Sequence, residues 1–301
     1  MRIASTGLMV WLALSQCAAA RDIFVDNVRG DDRYDGASPT TGLQGSGPCR
    51  TISHALRLAR SADRIILADS GQPYRESITL QAARHSGNQV GPFTIDGGGA
   101  VLDGAGAVPD YAWEHYQTDV FRFQPARMSY QQIFRDGVPL ERRLASTQYE
   151  LPALEPLQWC LFDRYIYFRV EKDKLPQSYG LSHAAQPVGI TLYDVRGVVI
   201  RNLTVQGFQL DGINAHDNVF DCTLLGVVCR GNGRAGVSIG GASRVLVEAC
   251  LLGNNGAAQL RTEGYSETRV VDCDLIDNTA PAIVRDGGRL SITEPPGATE
   301  P

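Results

Sequence analysis

The chain has 301 residues, of which 43% are hydrophobic and 20% charged, and a formal net charge of −5. Lys172 and Lys174 are the only lysines. This mild acidity, with no basic patch to displace phosphate counterions, argues against a nucleic-acid partner. After the first 20 residues, no run approaches the roughly 18 apolar residues that cross a bilayer, so no membrane span is expected.

Residues 1–20 have the pattern of a secretory signal. Arg2 is their only charge, Leu8–Leu14 form an apolar run, and Ala18–Ala20 offer a small-residue cleavage site. Removing them deletes one positive charge, which moves the formal balance from −5 to −6. The prediction is a cleaved signal peptide and a secreted or periplasmic protein. Two alternatives stay open: a lipoprotein anchored at Cys17, and a buried N-terminal strand or helix.

The next residues predict a strand, a polar loop, a helix and two more strands. The strand is Ile23–Asp26, and the loop is Arg29–Gly36. Pro48–Ala59 read as an amphipathic helix with Ile52, Ala55, Leu56 and Ala59 on one face. Asp63–Leu67 and Pro73–Leu80 follow as strands.

Aromatic residues crowd the region from 107 to 186, where no repeat is visible. Val120–Phe123 and Tyr165–Val170 alternate in polarity, as antiparallel strands with one solvent-exposed face do. Phe134–Leu140 read as a hairpin with an Asp-Gly turn at Asp136 and Gly137. We therefore expect a β-rich insertion over 107–186.

An apolar position recurs every 23 or 24 residues in the C-terminal part of the chain. One series is Ile190, Ile213, Val237, Leu260 and Ile283, and a second is Ile200, Leu224, Val247 and Val270. Short β-branched runs carry these positions, and Gly and Asn residues separate them as turn formers. A unit this short cannot bury its own apolar face, but stacked copies can, so the period predicts a solenoid.

Three short strands and three turns per repeat resemble the right-handed parallel β-helix superfamily, whose best-known members are pectate-lyase-like carbohydrate enzymes. The resemblance implies an all-β, right-handed parallel β-helix of about 23 residues per coil, with the N-terminal helix capping its open end. The insertion is similar to insertions in β-helix carbohydrate enzymes. The predicted parts are a signal peptide (1–20), the cap and first coils (21–106), the insertion (107–186), the C-terminal coils (187–293) and a disordered tail (294–301).

Strand alternation places two columns of side chains on the outside of the coils. The first column is Thr191, Asn214, Ser238, Arg261 and Val284, and the second is Tyr193, His216, Gly240, Glu263 and Asp286. By the resemblance, this face lines a sugar-binding groove. The catalytic candidates are His216, Glu263, Arg261 and Tyr193, and the substrate-binding candidates are Asn214, Ser238, Asp211, Asp217 and Arg234.

The chemistry of these residues supports more than one reaction. Tyrosine, histidine and glutamate can transfer protons, and Arg261 can pair with a uronate carboxylate. Glu263 and Asp286, on neighbouring coils about 5 Å apart, suit a retaining glycosidase. Lyases of the family use a lysine or arginine base with Ca2+ held by groove aspartates, whereas these coils contain no lysine. No metal or other cofactor is predicted, and Ca2+ enters only through the resemblance.

Plainer interpretations compete with each of these roles. His216 can be an ordinary surface histidine, Arg261 and Glu263 a surface ion pair, and Asp31, Asp32 and Asp35 solvated turn residues. The predicted function is action on an extracellular polysaccharide as a lyase or glycoside hydrolase. The alternative is a non-catalytic glycan-binding or structural module. A monomer is expected in either case.

The cysteines and asparagines of the repeats fit structural roles. Cys250 and Cys273 occupy the strand position of Leu203 and Val227, which predicts an interior ladder of small apolar side chains. Cys49 and Cys160 lie outside that ladder, and a disulfide between them is left open. Turn-forming or stacked amides are expected at Asn232, Asn254, Asn255 and Asn278.

Overall fold

The computed structural model describes residues 20–43, 45–89, 91–127 and 129–293. The predicted tail and all but the last residue of the predicted signal peptide lie outside these ranges, so both stay predictions. Within the described ranges, no helix is long and apolar enough to cross a membrane.

The elements before the insertion are few and short. The strands are β1 (Asp22–Val25), β2 (Arg64–Leu67), β3 (Ile78–Gln81), β4 (Phe93–Asp96) and β5 (Val101–Asp103). The helix α1 spans Ile52–Leu58, and a short 3-10 turn lies at Ala83–His85. Two further 3-10 turns, Asp110–Ala112 and Pro176–Ser178, lie within the insertion.

The insertion contributes eight strands, and the C-terminal coils contribute twelve. The insertion has β6 (Ala105–Ala107), β7 (Glu114–Gln117), β8 (Val120–Phe123), β9 (Ile133–Arg135), β10 (Val138–Pro139), β11 (Trp159–Phe162), β12 (Tyr165–Arg169) and β13 (Leu181–Ala184). The coils have β14 (Ile190–Tyr193), β15 (Val198–Arg201), β16 (Thr204–Gln206), β17 (Asp211–His216), β18 (Cys222–Leu225), β19 (Val228–Arg230), β20 (Ala235–Ile239), β21 (Arg244–Glu248), β22 (Leu251–Gly253), β23 (Ala258–Val271), β24 (Asp274–Leu275) and β25 (Ile283–Thr293).

Parallel strands stack into three faces of a β-helix. Face 1 consists of β3, β14, β17, β20 and the first parts of β23 and β25. Face 2 consists of β1, β2, β4, β15, β18, β21 and the second parts of β23 and β25. Face 3 consists of β5, β16, β19, β22 and β24. The predicted all-β parallel helix is confirmed.

The register follows the period of the sequence. Ile190 pairs with Ile213, Ile213 with Val237, Val237 with Leu260, and Leu260 with Ile283. The first four are at most 1% exposed. Ile283 is partly exposed because the described residues place no further rung on it. The stripe of equivalent apolar residues is therefore the wall of one continuous core.

Helix α1 lies against β1, β2 and β3 and buries Ile52, Ala55 and Leu56 in the core of the coils. Its first turn is capped twice. The Thr51 hydroxyl accepts the His54 N–H at 3.1 Å, and the Glu76 carboxylate accepts the N–H groups of Ile52 and Ser53 at 2.8 and 2.9 Å. The helix begins later than predicted because Cys49 forms a β-bridge with Val25.

The insertion interrupts the stack between two neighbouring rungs. Strands β3, β4 and β5 pair directly with β14, β15 and β16, across the intervening 80 or so residues. Those residues form two four-stranded antiparallel sheets, β10-β9-β13-β6 and β11-β12-β8-β7. Their apolar cluster, which includes Trp159 and Phe168, is separate from the core of the coils.

The predicted hairpin in the insertion is confirmed. Strands β9 and β10 pair antiparallel, with Arg135 opposite Val138. Asp136 and Gly137 take φ values of 51° and 77°, which a two-residue turn with both central residues left-handed requires. The local sequence favours this turn because aspartate and glycine tolerate a positive φ.

All six cysteines within the described ranges are free thiols. Cys49 is buried in the core of the coils and Cys160 in the insertion, so the disulfide left open between them is not formed. Cys250 is buried, and Cys273 packs against the same core as predicted for a ladder.

Buried amides stack along one corner of the coils. Asn255 Oδ1 accepts from the backbone and side-chain N–H groups of Asn232 at 3.0 Å, and Asn255 Nδ2 donates to Gln259 Oε1 at 2.8 Å. Gln259 in turn donates to Asn278 at 3.2 Å. The amide ladder expected from the turn asparagines is present, and Gln259 extends it.

Candidate functional site

The two predicted columns lie on the outside of face 1. Thr191 is opposite Asn214, Asn214 opposite Ser238, and Ser238 opposite Arg261. In the second column, Tyr193 is opposite His216, and Glu263 is opposite Asp286. The strands therefore bring the candidates onto one surface, at rung spacings of about 4.8 Å.

Tyr193 and His216 form an exposed pair of rings at one end of this surface. Their centroids are 6.1 Å apart, and the planes are tilted by 35°. His216 Nε2 lies 3.7 Å from a carboxylate oxygen of Asp217, which occupies the turn after β17. Among the described residues, no hydrogen bond or ion pair joins His216 to Arg261 or Glu263, because Gly240 occupies the rung between them.

Arg261 joins the two carboxylates of the second column. Its Nε contacts Glu263 Oε1, and its Nη2 lies 2.5 Å from Asp286 Oδ2. All three side chains are partly exposed. One guanidinium thus bridges acids on neighbouring rungs, which leaves the outer side of each carboxylate open to a ligand.

Asp211 is the centre of a buried polar network beside this bridge. It is 0% exposed and accepts from Arg234 Nε at 2.9 Å, Arg234 Nη2 at 2.5 Å and Asn214 Nδ2 at 2.9 Å. Burial raises the pKa of Asp211, an effect that the hydrogen bonds and charge of Arg234 oppose; the nearby Glu263 charge raises it further. The hydrogen bonds to Asp211 raise the pKa of Arg234.

Two substrate-binding candidates differ from the exposed groups expected at the sequence level. Asp211 begins strand β17 instead of lying in a turn, and its carboxylate faces Arg234, away from solvent. Ser238 is 3% exposed, because its short side chain lies between the longer side chains of Asn214 and Arg261 on the adjacent rungs. Both residues can support the surface, but neither offers a free polar group to a large ligand.

The insertion approaches face 1 through Tyr130, a residue that the repeat pattern did not single out. A Cβ added to Gly233, which precedes Arg234, would lie 3.0 Å from Tyr130 Cβ. The Tyr130 side chain is also close enough to Arg234 to raise the pKa of that guanidinium. No sequence signal could have placed it here, because the insertion carries no repeat that fixes its register.

The described residues do not fit a calcium site. No three His, Cys, Asp or Glu side chains lie together in an arrangement that would hold a metal ion. On face 1, Arg261 and Arg234 already pair with the nearest carboxylates. In the loop before α1, Asp32 accepts the N–H groups of Arg50 and Thr51, and Asp31 pairs with Arg33. No step proposed below uses a metal.

Comparison with protein families identifies the C-terminal coils. A family described as "Right handed beta helix region" matches residues 182–294. The match covers the strands that stack as parallel coils in the structure, so the description agrees with the fold observed there. No curated protein matches the chain significantly.

Solved structures resemble the β-helix at low sequence identity. A chain titled "Glycoside hydrolase" aligns with a TM-score of 0.60 and 10% identity, covering 84% of this chain and 73% of its own length. A structure titled as the complex of XylC with xylose aligns with a TM-score of 0.44 and 11% identity. The alignment covers 90% of this chain and 70% of that structure's chain. A GH136 lacto-N-biosidase from Eubacterium ramulus aligns with a TM-score of 0.26 and 9% identity. The alignment covers 88% of this chain and 55% of that chain. These likenesses concern the fold.

Proposed function

We propose that the protein hydrolyses glycosidic bonds in an extracellular polysaccharide, and that the reaction takes place on face 1 of the β-helix. The observation that carries the proposal is the pair of carboxylates, Glu263 and Asp286, on neighbouring rungs of one open surface. The structural neighbour titled "Glycoside hydrolase" supports the same class of reaction through its similar fold. The predicted signal peptide supports the extracellular location.

The geometry suits a retaining mechanism. Retaining enzymes hold their two carboxyl groups about 5–5.5 Å apart, which is close to one rung spacing. In this proposal Glu263 is the nucleophile, because it is the less exposed of the two carboxylates and is held by Arg261 Nε. Asp286 is the more exposed of the two and acts as the acid.

The exposed rings of Tyr193 and His216 supply a surface for a neighbouring sugar. They lie beyond Gly240 in the same column, where a Cβ would be 4.0 Å from the nearest atoms of Glu263. The absence of a side chain at this rung leaves room for a sugar to approach the backbone between the rings and the carboxylates. Asp211, Asn214 and Arg234 hold the floor of this surface in place.

The test is to incubate the protein with a panel of polysaccharides and to measure new reducing ends. Asp286→Asn is expected to lower kcat by about 10²–10⁴-fold, the usual contribution of a proton-transfer group. Glu263→Gln is expected to lower kcat at least as much, because it removes the nucleophile that forms the glycosyl intermediate. Glu248→Gln is the matched control, because Glu248 lies on face 2 and loses the same charge. Unchanged activity in both face 1 variants contradicts the assignment. Products that absorb as unsaturated uronates indicate a lyase instead.

Non-catalytic glycan binding is a second candidate, and the exposed Tyr193–His216 ring pair favours it. A binding surface needs these rings but no free acid, and both carboxylates are paired with Arg261. In that case glycan binding is weakened by Tyr193→Ala and is unaffected by Glu263→Gln. No glycan yields new reducing ends with any variant.

A further inference from the structure

A cavity lies on face 2, away from the columns of face 1. Its volume is about 660 Å³, and its lining comes from β15, β18, β21, β23 and β25, which are five successive rungs. At about 4.8 Å per rung, the groove is about 19 Å long. Such a length suits an extended oligomer that lies across the strands.

One wall of the groove is a fixed loop. Asn88, Gln89 and Pro92 line it, and Asn88 packs so closely on Gly197 that an added Cβ there would meet the Asn88 backbone nitrogen at 2.7 Å. A hydrogen bond from Gly87 N–H to Arg196 O at 2.8 Å joins this segment to the turn before β15. The groove is therefore bounded by backbone that the coils hold in place.

Apart from Arg269, the floor consists of small or apolar side chains. In register across the rungs it runs through Val199, Thr223, Leu246, Arg269 and Ser291. Among the described lining residues there is no aromatic ring. Single-stranded nucleic acids bind largely by stacking their bases on such rings, so this lining does not suit them.

Three arginines and two acids, Asp221 and Glu267, are the charged residues of the lining. Arg244, Glu267 and Arg289 occupy one register position on successive rungs. Glu267 faces both arginines, at N–O distances of 3.5 and 3.6 Å. Because these distances exceed normal hydrogen-bond lengths, both guanidiniums keep donors for another partner.

Arg269 is the third arginine, and it is exposed. Within the described part of the chain it forms no ion pair. Arg289 is similarly available, with 87% of its side chain exposed. A cation–π contact with Phe220 orients Arg244, whose guanidinium carbon lies 5.5 Å from the centroid of that ring.

We propose that this groove binds an extended anionic glycan, whose carboxylate or sulfate groups are received by Arg244, Arg269 and Arg289. Guanidinium groups bind carboxylate and sulfate-like oxygens through paired, charge-assisted hydrogen bonds. The site lies on a different face from the proposed catalytic carboxylates and needs no catalysis. It would place a second length of a charged polysaccharide along the β-helix, in addition to the segment on face 1.

The test is to measure binding of the full chain to heparin and to polygalacturonate, which carry sulfate and carboxylate groups, with dextran as the neutral control. The wild-type protein is expected to bind at least one of the two charged polymers, more weakly at higher salt, and not dextran. Arg269→Glu is expected to weaken binding by about tenfold or more, since one charge-assisted hydrogen bond is worth about 1.5–3 kcal/mol.

Arg29→Glu is the matched control, because Arg29 is exposed, lies next to the first strand, and gives the same change in net charge. Equal losses in the two variants overturn the proposal, since binding would then follow net charge alone. No binding to either charged polymer overturns it too, as does equally tight binding of poly-glutamate or single-stranded DNA. The measurement is of binding and not of new reducing ends, so a failure of the hydrolase assignment is recognised separately.

Discussion

At the scale of single residues, Cys273 differs from the other cysteines of the described chain. Burial raises the pKa of Cys49, Cys160, Cys222 and Cys229. The pKa of Cys273 is lowered, chiefly by a hydrogen bond with the Cys250 side chain and also by the backbone N–H of Cys250, whose nitrogen lies 3.3 Å from the Cys273 sulfur. Cys273 is also the one member of the set that is partly exposed.

We expect Cys273 to be the first cysteine that iodoacetamide alkylates in the folded protein. The thiolate is the reactive form, so the lowered pKa of Cys273 is expected to make it react faster than the buried cysteines, at a rate that rises as pH increases. Mass spectrometry of peptides after brief labelling measures the site. Cys273→Ser should remove the fast phase, and preferential labelling of any buried cysteine would contradict the assignment.

Strand alternation in the sequence correctly predicted which side chains lie on the outside of face 1. It could not show that Ser238 is covered or that Arg261 contacts Asp286 as well as Glu263. Those facts depend on the lengths of side chains on three adjacent rungs, and no single repeat contains that information. The roles assigned to the face 1 residues therefore stay predictions until activity is measured.

At the scale of elements, the amide ladder ties the turns of successive rungs together. Asn255 is 0% exposed and links Asn232, Gln259 and the carbonyl groups of Cys229 and Gly253. A leucine at this position has similar volume but no polar atoms. It would leave several buried donors and acceptors without partners, and each of these costs about 1–3 kcal/mol.

Asn255→Leu is therefore expected to lower the free energy of unfolding by about 2–5 kcal/mol, as measured by urea denaturation. Gln89→Leu is the matched control, because Gln89 is an exposed amide and its loss should change stability by less than about 0.5 kcal/mol. A small effect of Asn255→Leu would mean that the ladder amides find other partners.

At the scale of the whole molecule, the period of the sequence was sufficient to predict the β-helix. Each apolar residue of the series has one equivalent on the next rung, so the spacing alone fixes the register. The sheets of the insertion could be anticipated only as local hairpins. Their order in the fold depends on pairings such as β6 with β13, over 70 residues apart in sequence. The predicted domain limits at 106 and 186 stay predictions.

Two histidines, the buried His85 and the half-buried His183, connect the stability of the coils and of the insertion to pH. His85 Nδ1 accepts the Gln81 N–H at 3.0 Å, and its Nε2 lies 3.1 Å from Leu56 O, an arrangement that suits the neutral ring. Burial lowers the pKa of His85 in the coils and of His183 beside the insertion sheet.

Stability is therefore expected to fall as pH drops through about 6.5, the pKa of histidine in the unfolded chain, towards the lower pKa of the folded state. In this range the unfolded chain binds protons that the folded chain excludes. Urea denaturation between pH 7.5 and 5 measures the change. The double substitution His85→Gln and His183→Gln should reduce the slope, and an unchanged slope would exclude these two histidines as its source.

The insertion begins and ends at adjacent points of the fold, since Ala105 on β6 lies opposite Ala184 on β13. Its two ends are thus joined by hydrogen bonds within the insertion itself, and the coils on either side need only a short link between them. A segment attached in this way is modular: it can be lengthened, exchanged or lost in evolution while the rungs on both sides keep their register. The segment around Tyr130, which lies against Gly233, is where such exchange would alter face 1 while the core stays the same.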